Sequence, residues 1–226
     1  MVLPSIARRI YHSLAYPLYA RPKLNRTDQV DLLGFSFIVP PTVFHPKLYF
    51  TSKYMGEYLG SLDLRSRQVL EIGCGSGILS LVSASRGAKV SAIDINPESA
   101  RATLANARRN TLEGSISVWC GDLFASIRPQ AKFDAILLNP PFYKGVPRTV
   151  AEEAWYGGDD FEFMKRFIDG ALAHLSISGK ILMVLSSDAG VEQIIGLFRV
   201  KGFTMRCAAR KEALFERLYI YEATLS

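Results

Sequence analysis

Glycine at every second position behind an acidic strand is the first place where this chain can do chemistry. The run is Val69-Leu70-Glu71-Ile72-Gly73-Cys74-Gly75-Ser76-Gly77. A strand-to-helix turn built on Gly73, Gly75 and Gly77 lets backbone approach a nucleotide-like ligand closely. A dinucleotide site wants its third glycine one residue later, where this chain has Ile78. Glu71, just ahead of the turn, also suits a ligand with a positive group better than a pyrophosphate. Two more carboxylates end the following strands. Asp94, followed by Ile95, is placed to accept bonds from both hydroxyls of a ribose. Asp122 is placed to accept from an adenine amino group, with Leu123 packing on the ring. Carboxyl ends of adjacent strands in a doubly wound sheet line one crevice, so the three acids share a site.

This turn closely resembles the S-adenosylmethionine turn of the class I methyltransferases, and S-adenosyl-L-methionine is the cofactor that the resemblance implies. The second chemical feature is Asn139-Pro140-Pro141-Phe142, directly after a buried strand. Neither proline has an N–H, so the chain leaves the sheet stiffly with its carbonyls available. Methylation of a planar nitrogen needs such acceptors, because the nitrogen lends its lone pair to the adjacent π-system. The Asn139 side chain and the Pro140 carbonyl would hold the N–H groups and stabilise the positive charge growing on nitrogen. Pro141 stiffens the turn, and Phe142 can stack on the flat substrate group. Catalysis would otherwise be in-line alignment, with no strong general base required.

That tetrapeptide is the signature of amino-methyltransferases of the adenine, guanine and glutamine classes. Within them the chain most resembles the HemK family of protein-glutamine methyltransferases, from about Phe35 to Glu222. The likeness includes Phe35-Ser36-Phe37, Val43-Phe44-His45-Pro46 and the acidic stretch Glu153-Ala154-Trp155-Tyr156-Gly157-Gly158-Asp159-Asp160. It implies cofactor contacts at Glu71, Gly73, Asp94, Asp122, Leu123 and Asn139, with Ser52 near the methionine end. The chain departs from the family in two places. Only about thirty residues stand where bacterial members carry a larger helical domain that grips the release factor. The family's Pro-Arg-Pro-Glu-Thr segment has become Pro46-Lys47-Leu48-Tyr49-Phe50-Thr51-Ser52, without its acid. A short form resembles the archaeal and eukaryotic branch, which implies a separate small activating subunit.

The substrate is therefore either a protein glutamine, as in a release factor, or the exocyclic amine of a base in RNA or DNA. A nicotinamide-dependent oxidoreductase with Asp94 on the ribose is a more distant reading, opposed by the glycine spacing. A non-catalytic binding subunit of the same fold is a third.

These residues need elements to position them. Strand patterns run over 68–72, 89–93, 115–120, 133–138 and 180–185, alternating with helices through 85 and over 97–110, 159–175 and 191–201. A closing hairpin over 203–209 and 214–222 completes an α/β, doubly wound, Rossmann-like seven-stranded sheet with one antiparallel strand near its end. Thr51 or Ser52 caps a helix carrying Tyr54, Met55 and Leu59, and 34–39 forms a short strand. Residues 1–33 form a helical arm and a polar connector, and 34–226 the methyltransferase domain.

The 226 residues, 49% of them hydrophobic, suffice for one such domain. No apolar run approaches the ~18–20 residues of a membrane span, and a cytoplasmic location is the simplest reading. Cys74, Cys120 and Cys207 lack C-x-x-C spacing and read as buried small hydrophobes. With His12, His45 and His174 scattered, no metal site is expected. The net charge of +6 leans toward an acidic partner. Arg8, Arg9, Arg21, Lys23 and Arg26 precede the first acid, Asp28, and read as a nucleic-acid-facing arm, a targeting segment or a solvated helix face.

Overall fold

The computed structural model describes residues 26–46, 50–141, 144–150, 152–213 and 216–225. The expected helical arm and Phe142 lie outside them. Residues 28–39 fold back on themselves. β1 (Asp28–Leu32) and β2 (Phe35–Val39) pair as an antiparallel hairpin around the left-handed Leu33-Gly34 turn. The polar stretch to Asp31, expected as connector, is thus a strand, because Val30 can bury its side chain once Phe37 lies opposite.

The main sheet follows in regular alternation: α1 (Phe50–Gly60), β3 (Gln68–Ile72), α2 (Ile78–Ser85), β4 (Lys89–Asp94), α3 (Pro97–Arg109) and β5 (Ile116–Cys120). Then come β6 (Phe133–Leu138), α4 (Glu162–His174), β7 (Leu175–Ser186), α5 (Val191–Val200), β8 (Phe203–Glu212) and β9 (Arg217–Leu225). Seven strands lie in the order β5-β4-β3-β6-β7-β9-β8. All are parallel except β9, which runs antiparallel between β7 and β8. The expected single antiparallel strand is therefore there, as an insertion and not at the edge.

Strand residues alternate between two buried layers. Val69, Leu137 and Val184 pack under α1, α2 and α3, whereas Leu70, Ile136 and Met183 pack under α4 and α5. Apolar side chains on both strand faces are what a sheet covered twice by helices requires. β7 begins five residues earlier than the periodicity predicts, directly out of α4, with a bulge opposite Phe133 and Ala135. α1 starts at Phe50, so Thr51 and Ser52 are buried inside its first turn and do not cap it. Two of the three cysteines were misjudged. Cys74 is buried, but Cys120 and Cys207 are exposed, because they sit on β5 and β8, the two edge strands.

The chain winds outward from β3 through β4 to β5, then returns to β6 on the other side of β3. That reversal opens a crevice above the carboxyl ends of β3 and β6, where doubly wound sheets bind ligands.

Candidate functional site

Sheet register puts the predicted residues in one row. Ile72 pairs with Ile93 on one side and Leu138 on the other, so Gly73, Asp94 and Asn139 are the next residues of three adjacent strands. Strands lie about 4.8 Å apart, so the row spans one nucleoside-sized crevice.

Gly73, Gly75 and Gly77 all have positive φ, at 73°, 55° and 87°. At Gly77 a side chain is also sterically excluded, since a Cβ would lie 2.9 Å from Thr103 Cγ2. At Gly73 the outer side is open, with no atom within 4 Å of a Cβ position. The turn is held from below by Asp94, which accepts the Gly75 N–H at 2.8 Å on one oxygen and the Asn96 N–H at 2.9 Å on the other. Burial pushes the Asp94 carboxyl up, and those two backbone bonds pull it back. Ser99 bonds to it as well, and a carboxylate has about four acceptor positions, so about one is left for a ligand hydroxyl. Ile95, next to it, is exposed at the rim.

Sequence reasoning missed the side chains that brace this turn. Thr103 donates to the Gly75 carbonyl at 3.0 Å, and Asn106 to the Ser76 carbonyl at 2.9 Å. Asn106 and Asn110 also exchange bonds with the β2 backbone at Ile38 and Ser36, closing the hairpin edge as another strand would. Their signal was present as a polar stripe at 103, 106 and 110 on the helix face opposite Arg101, Arg108 and Arg109.

Glu71 is not in the crevice wall. It is 2% exposed, and Ser80 of α2 donates to its carboxylate. Burial raises its pKa to about 8, the Ser80 bonds oppose that, and the nearby Asp94 charge adds to it. Asp122 is half exposed and ion-paired with Arg166 of α4, a partner the sequence did not suggest. Leu123 is buried in the left-handed region at φ 50°, among the residues under α4. An adenine amino group would therefore share Asp122 with a guanidinium.

Asn139 carries the least ordinary feature. Its Nδ2 donates to Ser52 Oγ at 2.9 Å, which fixes the amide plane, while its Oδ1 is buried with no hydrogen-bond partner among the described residues. Thr51 Oγ1, one residue before Ser52, is likewise buried and unpartnered. A buried acceptor left unpaired costs about 1–3 kcal/mol, so a ligand donor is its natural complement. Pro140 is buried and Pro141 partly so.

The acidic stretch after the tetrapeptide packs back toward the glycine turn through Phe44. Trp155 packs on Phe44 at 5.1 Å between ring centroids, and Phe44 in turn lies against Gly75. Burial raises the Glu153 pKa, with the Asp122 charge adding to it. Gly145 and Gly158 exchange backbone hydrogen bonds at 3.3 and 3.1 Å. Gly157 presses against Pro141, where a Cβ would stand 2.7 Å from the carbonyl oxygen.

The sequence profile of the "Methyltransferase small domain" matches residues 35–212. The chain belongs to that family. It is an S-adenosylmethionine-dependent methyltransferase. It is 33% identical over 189 residues to a Methanocaldococcus jannaschii protein provisionally named a protein N5-glutamine methyltransferase, covering 79% of this chain and 92% of that one. Identity is 33% over 167 residues with methyltransferase HEMK2 of Homo sapiens, over 70% of this chain and 77% of the relative. It is 30% over 191 residues with a release factor glutamine methyltransferase of Koribacter versatilis, over 77% and 66%. Among solved structures, a T. thermophilus 16S rRNA methyltransferase in complex with AdoMet and guanosine superposes with a TM-score of 0.66 at 24% identity. That alignment takes in 89% of this chain and half the length of the other. The E. cuniculi Mtq2-Trm112 complex, which methylates the eRF1 termination factor, superposes at 0.60 and 17% identity, over 82% and 99%.

The methyltransferase's own residues fit its cofactor: an open glycine turn, a carboxylate with a spare acceptor position and an unpartnered acceptor stand in one row. No helix among the described residues is long and apolar enough to cross a membrane.

Proposed function

We propose that this methyltransferase acts on a planar nitrogen, the side-chain amide of a protein glutamine. The single observation that carries the reading is the buried, unpartnered Oδ1 of Asn139 at the end of β6, locked by Ser52. An amide N–H is a donor that complements it, and the Pro140 carbonyl is the second acceptor in this reading. When bound, S-adenosylmethionine supplies an electrophilic methyl carbon on a positively charged sulfur. Gly73, Gly75, Gly77, Asp94, Ile95, Asp122, Leu123 and Ser52 form its binding surface, with Glu71 acting from beneath the turn. Asn139 and Pro140 orient the nitrogen and favour the charge that develops on it. Pro141 borders the substrate side, and Phe142 is the motif residue expected to stack on the substrate group.

The relatives named for glutamine methylation at 30–33% identity support glutamine over a base amine. A release factor is then the first substrate to try. Mtq2 is seen with Trm112, and an activating subunit of that kind is part of the proposal. The base-amine reading draws on the net charge of +6 and on rRNA methyltransferases among the relatives, such as that of Aeromonas hydrophila at 34% identity over 61% of this chain.

The test is transfer of labelled methyl into a cell extract fractionated into protein, RNA and DNA, with Asn139→Ala in parallel. Label in protein, lost with the variant, is the expected result. Label confined to nucleic acid, with affinity falling steeply as salt rises, would replace glutamine with a base amine.

A further inference from the structure

Three charged side chains from three separate segments meet beside the position given to the adenine of the cofactor. Asp122 follows β5, Arg166 lies on α4, and Glu153 belongs to the one-turn helix Glu152–Ala154. The Arg166 guanidinium is paired with Asp122. Glu153 is partly buried and within electrostatic range of both, since the Asp122 charge opposes its ionisation and the Arg166 charge favours it. Among the described residues its carboxyl has no hydrogen-bond partner.

The pair at Asp122 is one that a ligand can disturb. Its side chains are 44% and 59% exposed, and an ion pair so exposed contributes little to stability. An adenine amino group donating to Asp122 takes acceptor positions that the guanidinium now holds. A guanidinium carries five donors in a planar fork, and Glu153 offers the displaced ones a second carboxylate.

Glu153 is coupled in turn to the substrate side. The Trp155 and Tyr156 N–H groups both donate to the Glu152 carbonyl, at 2.9 and 3.0 Å, and the Arg148 N–H donates to the Glu152 carboxylate at 2.6 Å. One tight turn therefore carries both Glu153 and Trp155. Trp155 rests on Phe44, and Gly157, a little further on, presses against the Pro141 carbonyl. A displacement of Glu153 is thus passed along the short run 153–157 to the residues beside Asn139.

We propose that Arg166 is a positioning residue: when adenine occupies Asp122, the guanidinium passes to Glu153 and draws the turn at 152–157 against the Asn139 bank, so that the cofactor prepares the substrate side. The proposal rests on the placement of adenine at Asp122 given above.

Trp119→Phe leaves Trp155 as the chain's one tryptophan, a reporter within the turn itself. In that parent protein, emission is followed as S-adenosylhomocysteine is added, and affinity is taken from calorimetry. Saturating ligand is expected to shift the emission. Arg166→Ala and Glu153→Gln should each remove most of the shift while affinity stays within about threefold. The double variant should lose no more than either alone, as two members of one relay do. Arg166→Lys, which keeps the charge, should restore part of the shift, a rescue that a side chain serving only the fold would not give. Asp122→Ala should weaken affinity about tenfold, the scale of a lost charge-assisted bond, and leave no shift at saturation. A parent without a shift, or a full shift kept by Arg166→Ala or Glu153→Gln while Asp122→Ala still weakens the ligand, would overturn the relay and leave the adenine placement standing. Affinity unchanged in Asp122→Ala would overturn both.

Discussion

The two banks of the β3–β6 crevice are built in opposite ways. On the glycine-turn bank the polar groups satisfy one another. Asp94, Asn96, Thr103 and Asn106 each have partners within the chain, and the turn they hold is rigid before any ligand arrives. On the Asn139 bank an acceptor is buried unpaired and a glycine is pressed against a carbonyl. The difference teaches where each kind of work is done. In the proposed function, a cofactor common to many enzymes is met by a finished surface, and discrimination is left to a bank whose unsatisfied groups only the right partner completes.

The comparison breaks first at Asn139. Asn139→Ala should lower kcat/KM by about 10²–10³, the scale of one lost group that stabilises developing charge. Calorimetric affinity for S-adenosylhomocysteine should change far less, and an equal loss in both would erase the distinction between the banks. Asp94→Ala tests the other bank, with an expected ~10–100-fold weakening of that affinity from losing charge-assisted bonds. If titration finds it within threefold, the ribose contact lies elsewhere.

Gly157→Ala sharpens the boundary. The new Cβ would displace Pro141 and, with it, the acceptors, so kcat should fall about tenfold while cofactor affinity holds. Glu71 gives a pH signature. Its native pKa of about 8 stands above the ordinary carboxylate value near 4.5, so between those pH values the native state holds a proton that the unfolded chain has lost. Stability should therefore fall as pH rises through that window, by at most about 1.4 kcal/mol per unit. Urea titrations at pH 5, 6, 7 and 8 would read the slope, and Glu71→Gln should flatten it. The smallest effect is expected from Arg166→Ala, below ~1 kcal/mol because the pair with Asp122 is exposed. A larger drop in Tm would make that ion pair part of the frame.

The legible parts of the molecule were those with local causes. β3 and β6 fall on their predicted bounds because short, mostly apolar segments, Val69-Leu70 with Ile72 and Ala135 to Leu138, run directly into turn residues. α2 begins at Ile78 because the last left-handed glycine ends the turn there. What escaped depended on residues distant in sequence. Val30 forms a strand only because Phe37 faces it, and Cys120 is exposed only because β5 ends the sheet. Arg166 meets Asp122 across 44 positions. The glycine turn and the aspartate that holds it could be read from one nine-residue run and Asp94. Gly145 and Gly158 meet only when the chain between them folds back, and no spacing rule announces that.

The placement of β9 sets an order of events. β8 touches the rest of the sheet only through β9, and β7 is left without its outer neighbour until β9 slides between them. Pairings of such sequence separation form slowly, and a chain emerging from the ribosome folds its earlier parts first. The turn-and-aspartate half can thus assemble while the closing strands are still being made, with the outer edge of β7 open meanwhile to any other strand.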